Sequence, residues 1–371
     1  MTLPGVRIRE RGGTRVSSSA IDEARLEAFM GQLVGHMTGA AVCVGMWLGD
    51  ELGFYREMAG GGPLGAGDLA ARTGCQPRLV REWLDAQAAA GLIIYDAETD
   101  TYELPSEHAM ALADDNSPVF VARAMNAIGA MFMDVEKVKG AFRGDGGLAW
   151  ADHNPCLFSG TEWFFRTGYR AHLPTEWIPA LEGVTEKLDR GAKVADVGCG
   201  HGASVVAMAG AFPAATFTGI DFHEPSVETA RSRVEEAGFA DRCSFQVATA
   251  TDYDGTYDLI CFFDCLHDMG DPVAAARHAL EHLADDGTVL LVEPFALDGR
   301  PANVAQNPMA PLLYLASSMV CVPNSLSQEV GLALGAQAGE ARLAEVFEEA
   351  GFSRFRRAAE TPLNLILEAR A

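Results

Sequence analysis

The sequence predicts an α/β chain whose helical front half carries a winged helix and whose back half is a doubly wound, mostly parallel sheet closed by an antiparallel strand. Three observations predict it. Helical periodicity runs into a helix-turn-helix and hairpin pattern before residue 105. After about residue 185 the pattern switches to alternating strand and helix signals. Near the end, 352–357 and 363–368 look like paired strands across Glu360-Thr-Pro362.

At 371 residues the chain is long enough for two compact domains. Its 49% hydrophobic and 21% charged residues are those of a soluble globular protein. The formal charge of −23 repels phosphate backbones, and no basic run offers a local exception, so neither nucleic acid nor an anionic membrane is an expected partner. The eight cysteines are scattered without C-x-x-C spacing, as in a reduced cytoplasmic protein with neither a disulfide framework nor a metal site.

Residues 1–20 carry Arg7, Arg9, Arg11 and Arg15 among Gly and Ser with no apolar region behind them, and read as a disordered tail. From Ile21 to Leu52 the residues Phe29, Leu33, Met37, Ala41, Val44, Leu48 and Leu52 form one stripe of a helix that should pack against something apolar. Its uncharged core, Leu33 to Leu48, is shorter than the ~20 residues of a bilayer span, so a buried helix is expected. Within 21–115, residues 68–104 predict two short helices separated at Gly74 and Pro77, then strands at 92–95 and 101–104: a winged helix in outline. Arg78 and Arg81 suit a DNA-reading helix. Glu82, Asp85, the acidic wing and the net charge instead favour packing or dimerisation. Residues 116–185 read as a helical linker with the aromatic group Trp163, Phe164, Phe165 and Tyr169.

In the domain 186–371 the chemistry concentrates at Lys193-Val-Ala-Asp-Val197, a strand running into Gly198-Cys199-Gly200-His201-Gly202 and then a helix from Ala203. Glycine is needed where a backbone turns sharply and approaches a nucleoside. Thr216–Ile220 is the next strand, and Asp221 at its end can accept both ribose hydroxyl protons, with Phe222 placed to flank an adenine. The turn also satisfies the dinucleotide pattern of an NAD-dependent oxidoreductase. Against that, Asp196 lies just before the turn, where a cationic ligand is better served than a pyrophosphate, and the chain closes on a hairpin.

These segments, with Gly219-Ile-Asp221, Tyr257–Ile260, Phe263–Pro272 and Gly287–Pro294, resemble the class I S-adenosylmethionine-dependent methyltransferases, in the actinobacterial-type branch with an N-terminal winged helix. The resemblance covers nearly the whole chain from Ile21 and implies a Rossmann-like seven-stranded sheet and S-adenosyl-L-methionine as cofactor. It further implies that Asp196 and the Gly198, Cys199, Gly200 and Gly202 backbone face the methionine part, Asp221 the ribose and Phe222 the adenine. Phe263 and Asp264 would lie beside the transferable methyl. The family commonly has an acid where Thr249 stands before Ala250. A threonine contacts the adenine amino group without charge assistance, and Asp252 is the nearest other acid.

If the acceptor is a hydroxyl or an acidic carbon, a proton must leave, and His267 after the fourth strand of this domain is the candidate base, with Asp264 and Asp268 as neighbours. Residues 295–339 form an apolar insertion placed to roof the crevice; Met309 and Tyr314 from it, with Trp163 and Tyr169 from the linker, are candidate substrate contacts. The reading is a cytoplasmic, homodimeric small-molecule methyltransferase acting on an apolar or aromatic metabolite, oxygen favoured over nitrogen or carbon. The alternatives are a winged-helix regulator that senses S-adenosylmethionine and the NAD-dependent oxidoreductase.

Overall fold

The computed structural model describes residues 21–371; the tail 1–20 lies outside the described residues. The first helix, Glu23–Glu51, starts at Asp22, whose carboxylate accepts the Arg25 N–H at 3.1 Å. Its buried residues are only Gly49 and Asp50, at the end where a Cβ on Gly49 would lie 2.3 Å from Trp83. Phe29, Leu33, Met37, Val44 and Leu48 are exposed. This corrects the expected buried helix: the stripe is continuous, but among the described residues no element covers it. By length and composition alone the helix is long and apolar enough to cross a membrane.

The winged helix follows. Helices Ala66–Thr73 and Pro77–Ala89 meet at Gly74, which ends the first in the left-handed region at φ 66°. Strands β1 (Ile94–Asp96) and β2 (Thr101–Glu103) pair antiparallel, and Leu69, Leu84 and Tyr102 sit in one core with Phe54, Tyr55 and Trp83. Arg78 pairs with Glu82, and Arg81 with Asp100 at 3.2 Å, so each cation that a DNA-reading helix would present is engaged by an acid.

In the linker, helix Cys156–His172 crosses Met125–Met133 at Gly160, where a Cβ would stand 2.1 Å from the Ala127 backbone nitrogen. Only glycine permits that approach. The crossing aims the aromatic face of Cys156–His172 at the sheet.

The sheet consists of β3 (Lys193–Val197), β4 (Thr216–Asp221), β5 (Cys243–Val247), β6 (Tyr257–Phe263), β7 (Leu283–Pro294), β8 (Arg354–Glu360) and β9 (Asn364–Arg370), in the order β5-β4-β3-β6-β7-β9-β8. Strands β3 to β7 are parallel, and β9 runs antiparallel to both neighbours. Alternate residues feed two cores: Val194, Leu290 and Ile366 point to one face, Ala195, Leu291 and Leu367 to the other. Both faces are covered, as a parallel sheet requires. From β3 the chain runs out to β4 and β5 and then returns to β6 on the other side. That reversal opens a crevice at the carboxyl ends of β3, β4 and β6. Between β7 and helix Glu340–Ala350 the insertion folds as Arg300–Gln306, Ala310–Ala316, a π-helical turn Ser317–Cys321 and Val322–Leu326.

Candidate active site

A cavity of about 880 Å³ occupies the crevice. Its sheet side is lined by Gly198, Cys199, Gly200, Asp221, Phe222, Thr249, Ala250, Phe263, Asp264 and His267. The facing wall is apolar, with Met131, Phe165 and Tyr169 from the linker and Leu312, Leu313 and Val320 from the insertion.

All three turn glycines have positive φ: 79° at Gly198, 50° at Gly200 and 78° at Gly202. A Cβ on Gly198 would lie 2.8 Å from Cys265 Sγ, and one on Gly202 2.9 Å from Ala230 Cβ, so these two close the turn against the protein. Gly202 and Asp196 do not themselves line the cavity. At Gly200 a Cβ would meet nothing within 4 Å; this cavity-lining position is the one where the backbone is bare toward open space. Beneath the turn, Asp196 is 1% exposed. The Ser204 hydroxyl donates to its Oδ2, while Oδ1 has no partner among the described residues. Burial, reinforced by the nearby Asp221 charge and partly opposed by Ser204, pushes its carboxyl up to about 7. A cationic ligand above the turn would offset that cost through its field without touching the carboxylate.

Asp221 ends β4 with Oδ2 accepting the Gly200 N–H and Oδ1 the His223 N–H, each at 2.9 Å. Burial raises its pKa against those two bonds. Thr249 and Ala250 line the cavity. Asp252 instead turns back, accepting the Thr249 N–H at 2.6 Å and its hydroxyl at 2.8 Å. The acid near this position therefore caps a loop.

Asp264 follows β6 in the left-handed region, at φ 51°. Its N–H donates to Val292 O at 2.7 Å. Its carboxylate accepts Asn364 Nδ2 at 2.9 Å and the Tyr169 hydroxyl at 3.4 Å. Burial, then the Glu293 charge, pushes the Asp264 carboxyl well above its usual range.

His267 sits in the 3₁₀ turn Leu266–Asp268, 4% exposed. Its neighbours in sequence do not orient it. Glu293, at the end of β7, does: Oε2 lies 2.5 Å from Nδ1, and Oε1 accepts the His267 backbone N–H at 3.2 Å. Nε2 faces Cys321 Sγ at 3.3 Å. Burial works to lower the imidazole pKa, but the Glu293 carboxylate and Cys321 outweigh it, and the net shift is well upward.

Of the four candidate substrate contacts only Tyr169 lines the cavity. On Cys156–His172 the cavity face is Leu157, Phe158, Thr161, Glu162, Phe164, Phe165 and Tyr169. Trp163 points away, edge-on to Phe120 at 5.6 Å. On Ala310–Ala316 the inward residues are Leu312, Leu313 and Ala316, so helical phase turns Tyr314 aside. Met309 precedes that helix, and its N–H is held by Asn307 at 2.9 Å. Glu293, Asn364 and Cys321 escaped the sequence reading because their partners lie 26, 100 and 54 residues away.

Residues 188–351 match a methyltransferase domain, and residues 40–114 an Rv2258c-like winged HTH domain. Over 120 residues the chain is 32% identical to the 27-O-demethylrifamycin SV methyltransferase of Amycolatopsis mediterranei, a stretch covering 32% of this chain and 43% of that protein. The chain thus spans less than half the length of the curated relatives it matches. Its fold is that of the mitomycin 7-O-methyltransferase MmcR, with TM-score 0.66, 22% identity and coverage of 94% of this chain and 100% of that one. Human N-acetylserotonin methyltransferase in complex with S-adenosylmethionine shares it too, with TM-score 0.67, 18% identity and coverage of 96% and 99%. Residues 188–351 thus carry a methyltransferase domain behind a winged helix, in a fold shared with solved methyltransferases.

Proposed function

We propose that this chain methylates an oxygen of a small apolar or aromatic molecule. The observation that carries the reading is a single cavity with two unlike walls: a glycine turn with carboxylates at the strand ends, and an apolar wall meeting the His267–Glu293 pair. On this reading the Gly198, Cys199 and Gly200 backbone holds the methionine part, above the buried Asp196 charge, Asp221 holds the ribose, and Phe222, Thr249 and Ala250 flank the adenine. Phe263 and Asp264 lie toward the reacting end. When bound, S-adenosylmethionine supplies an electrophilic sulfonium methyl. The protein's part is to align the acceptor and exclude water. His267 takes the acceptor's hydroxyl proton, and Glu293 holds the ring and stabilises the imidazolium that forms. Tyr169, with Leu312 and Leu313, lines the acceptor side. Incubation with methyl-labelled S-adenosylmethionine and a panel of phenolic, apolar acceptors is expected to give labelled methyl ethers and one S-adenosylhomocysteine per ether. Labelling of RNA or protein instead would refute the reading.

The same proposal makes the chain a cytoplasmic homodimer without nucleic-acid or membrane partners. A second copy is the occupant that the bare stripe Phe29, Leu33, Met37, Val44 and Leu48 calls for. Light scattering at micromolar concentration is expected to give twice the chain mass, and Leu33→Asp with Met37→Asp to halve it. A wild-type monomer that binds phosphatidylcholine vesicles through this helix would overturn the assignment.

A further inference from the structure

Glu162 lines the cavity from the linker helix, yet its side chain is only 6% exposed. Its carboxylate accepts Arg233 Nη2 at 2.6 Å, lies 3.5 Å from His201 Nδ1 and 3.6 Å from Arg166 Nη1. His201 belongs to the glycine turn after β3; Arg233 belongs to helix Glu224–Glu236, which follows Asp221 and β4. Arg233 also donates to the His201 carbonyl at 3.4 Å. One carboxylate from outside the sheet domain thus fastens both segments that frame the turn. Burial alone would raise the Glu162 pKa; His201 and Arg233 reverse that and hold it ionised.

The next residue continues the connection away from the cavity. The guanidinium carbons of Arg166 and Arg123 both stack on Trp163, each 4.4 Å from the ring centroid. Arg123 Nε then donates to Asp50 Oδ2 at 3.0 Å, and Asp50, 5% exposed at the end of the first helix, also accepts Arg56 at 2.8 Å. The contacts run Asp50, Arg123, Trp163, Arg166, Glu162, glycine turn.

We propose that Glu162 is a positioning residue for the cofactor turn, and that Trp163, stacked with Arg123 and Arg166, ties that positioning to the winged-helix half. The inference rests on the reading that the turn holds S-adenosylmethionine. It gives Trp163 a role in cofactor affinity although it does not line the cavity in the crevice. Removing the Glu162 charge leaves the half-buried guanidinium groups of Arg166 and Arg233 without their counter-ion and frees His201, so the turn loses its bound geometry before the ligand arrives. The effect falls on binding. Once the cofactor is seated, the methyl-transfer geometry is unchanged.

The test is titration calorimetry of the full chain with S-adenosylmethionine, alongside saturated turnover. Glu162→Gln is expected to raise Kd about tenfold or more and to change kcat less than about threefold. Trp163→Leu should raise Kd about threefold, and Trp163→Phe, which keeps a ring, should restore most of it. The double variant Glu162→Gln/Trp163→Leu should bind no more weakly than Glu162→Gln alone, because the tryptophan acts through the carboxylate. Wild-type Kd in Glu162→Gln of native circular dichroism, a loss of kcat with Kd unchanged, or additive penalties in the double variant would each overturn the proposal. If Glu162→Gln does not fold, Glu162→Asp and the two Trp163 variants carry the same comparison. A wild-type chain that binds no S-adenosylmethionine would instead condemn the cofactor reading beneath it.

Discussion

Asp221→Ala is expected to raise the dissociation constant for S-adenosylmethionine by at least about a hundredfold. If the carboxylate accepts both ribose hydroxyls, two charge-assisted hydrogen bonds are lost, worth about 1.5–3 kcal/mol each, and every 1.4 kcal/mol is a factor of about ten. The alanine also releases the Gly200 and His223 N–H groups that the carboxylate now fixes. Calorimetry on wild type and variant, with NAD as control ligand, measures it. Equal affinities in two folded samples would remove Asp221 from the site. Asp221→Asn keeps a single acceptor oxygen and should fall between them.

His267→Asn is expected to lower kcat by about a hundredfold or more, the usual contribution of a positioned base, while cofactor affinity stays within about threefold of wild type. The pH profile carries the sharper signature. A base works in its neutral form, and Glu293 raises the imidazole pKa above its ordinary 6.5. Activity should therefore fall as pH is lowered through a limb that lies above 6.5. Glu293→Gln removes the carboxylate, so the limb should move to lower pH while the plateau drops. The same shift has a stability face. A folded-state pKa raised above the unfolded one contributes stability that is fully present below 6.5 and is lost as pH rises through the folded value. Wild type should thus lose part of its advantage over His267→Asn in thermal melts on the alkaline side. An activity limb that stays in place in Glu293→Gln would show that the pair does not work as a base.

What the sequence disclosed about the site was whatever a short stretch of chain determines. Lys193–Val197, its glycines and Asp221 belong to one strand-turn-helix-strand unit, so their mutual placement follows from local geometry. The antiparallel ending was equally legible, because two strand-like runs flank Glu360-Thr-Pro362. The pairing of His267 with Glu293 was not, since it depends on β6 and β7 lying side by side with ends in register. Trp163, Met309 and Tyr314 lie off the cavity for another reason. Aromatic or apolar character near a crevice says nothing about rotation around a helix axis, and the phase of Cys156–His172 and Ala310–Ala316 put other residues inward. The first helix shows a third limit: periodicity established the stripe at Phe29 to Leu48 but could not say whether its cover belongs to the same chain.

The insertion between β7 and Glu340–Ala350 has a consequence for how such a protein can diversify. The cavity wall it supplies, from Leu312 to Val320, shares no strand with the glycine turn or Asp221. The cavity-facing side chains Leu312, Leu313, Ala316 and Val320 can be exchanged without disturbing a ladder hydrogen bond beneath the glycine turn. Selection for a new acceptor can act on one wall while the other is inherited intact, so chains that differ greatly in what they modify can keep the same strand ends.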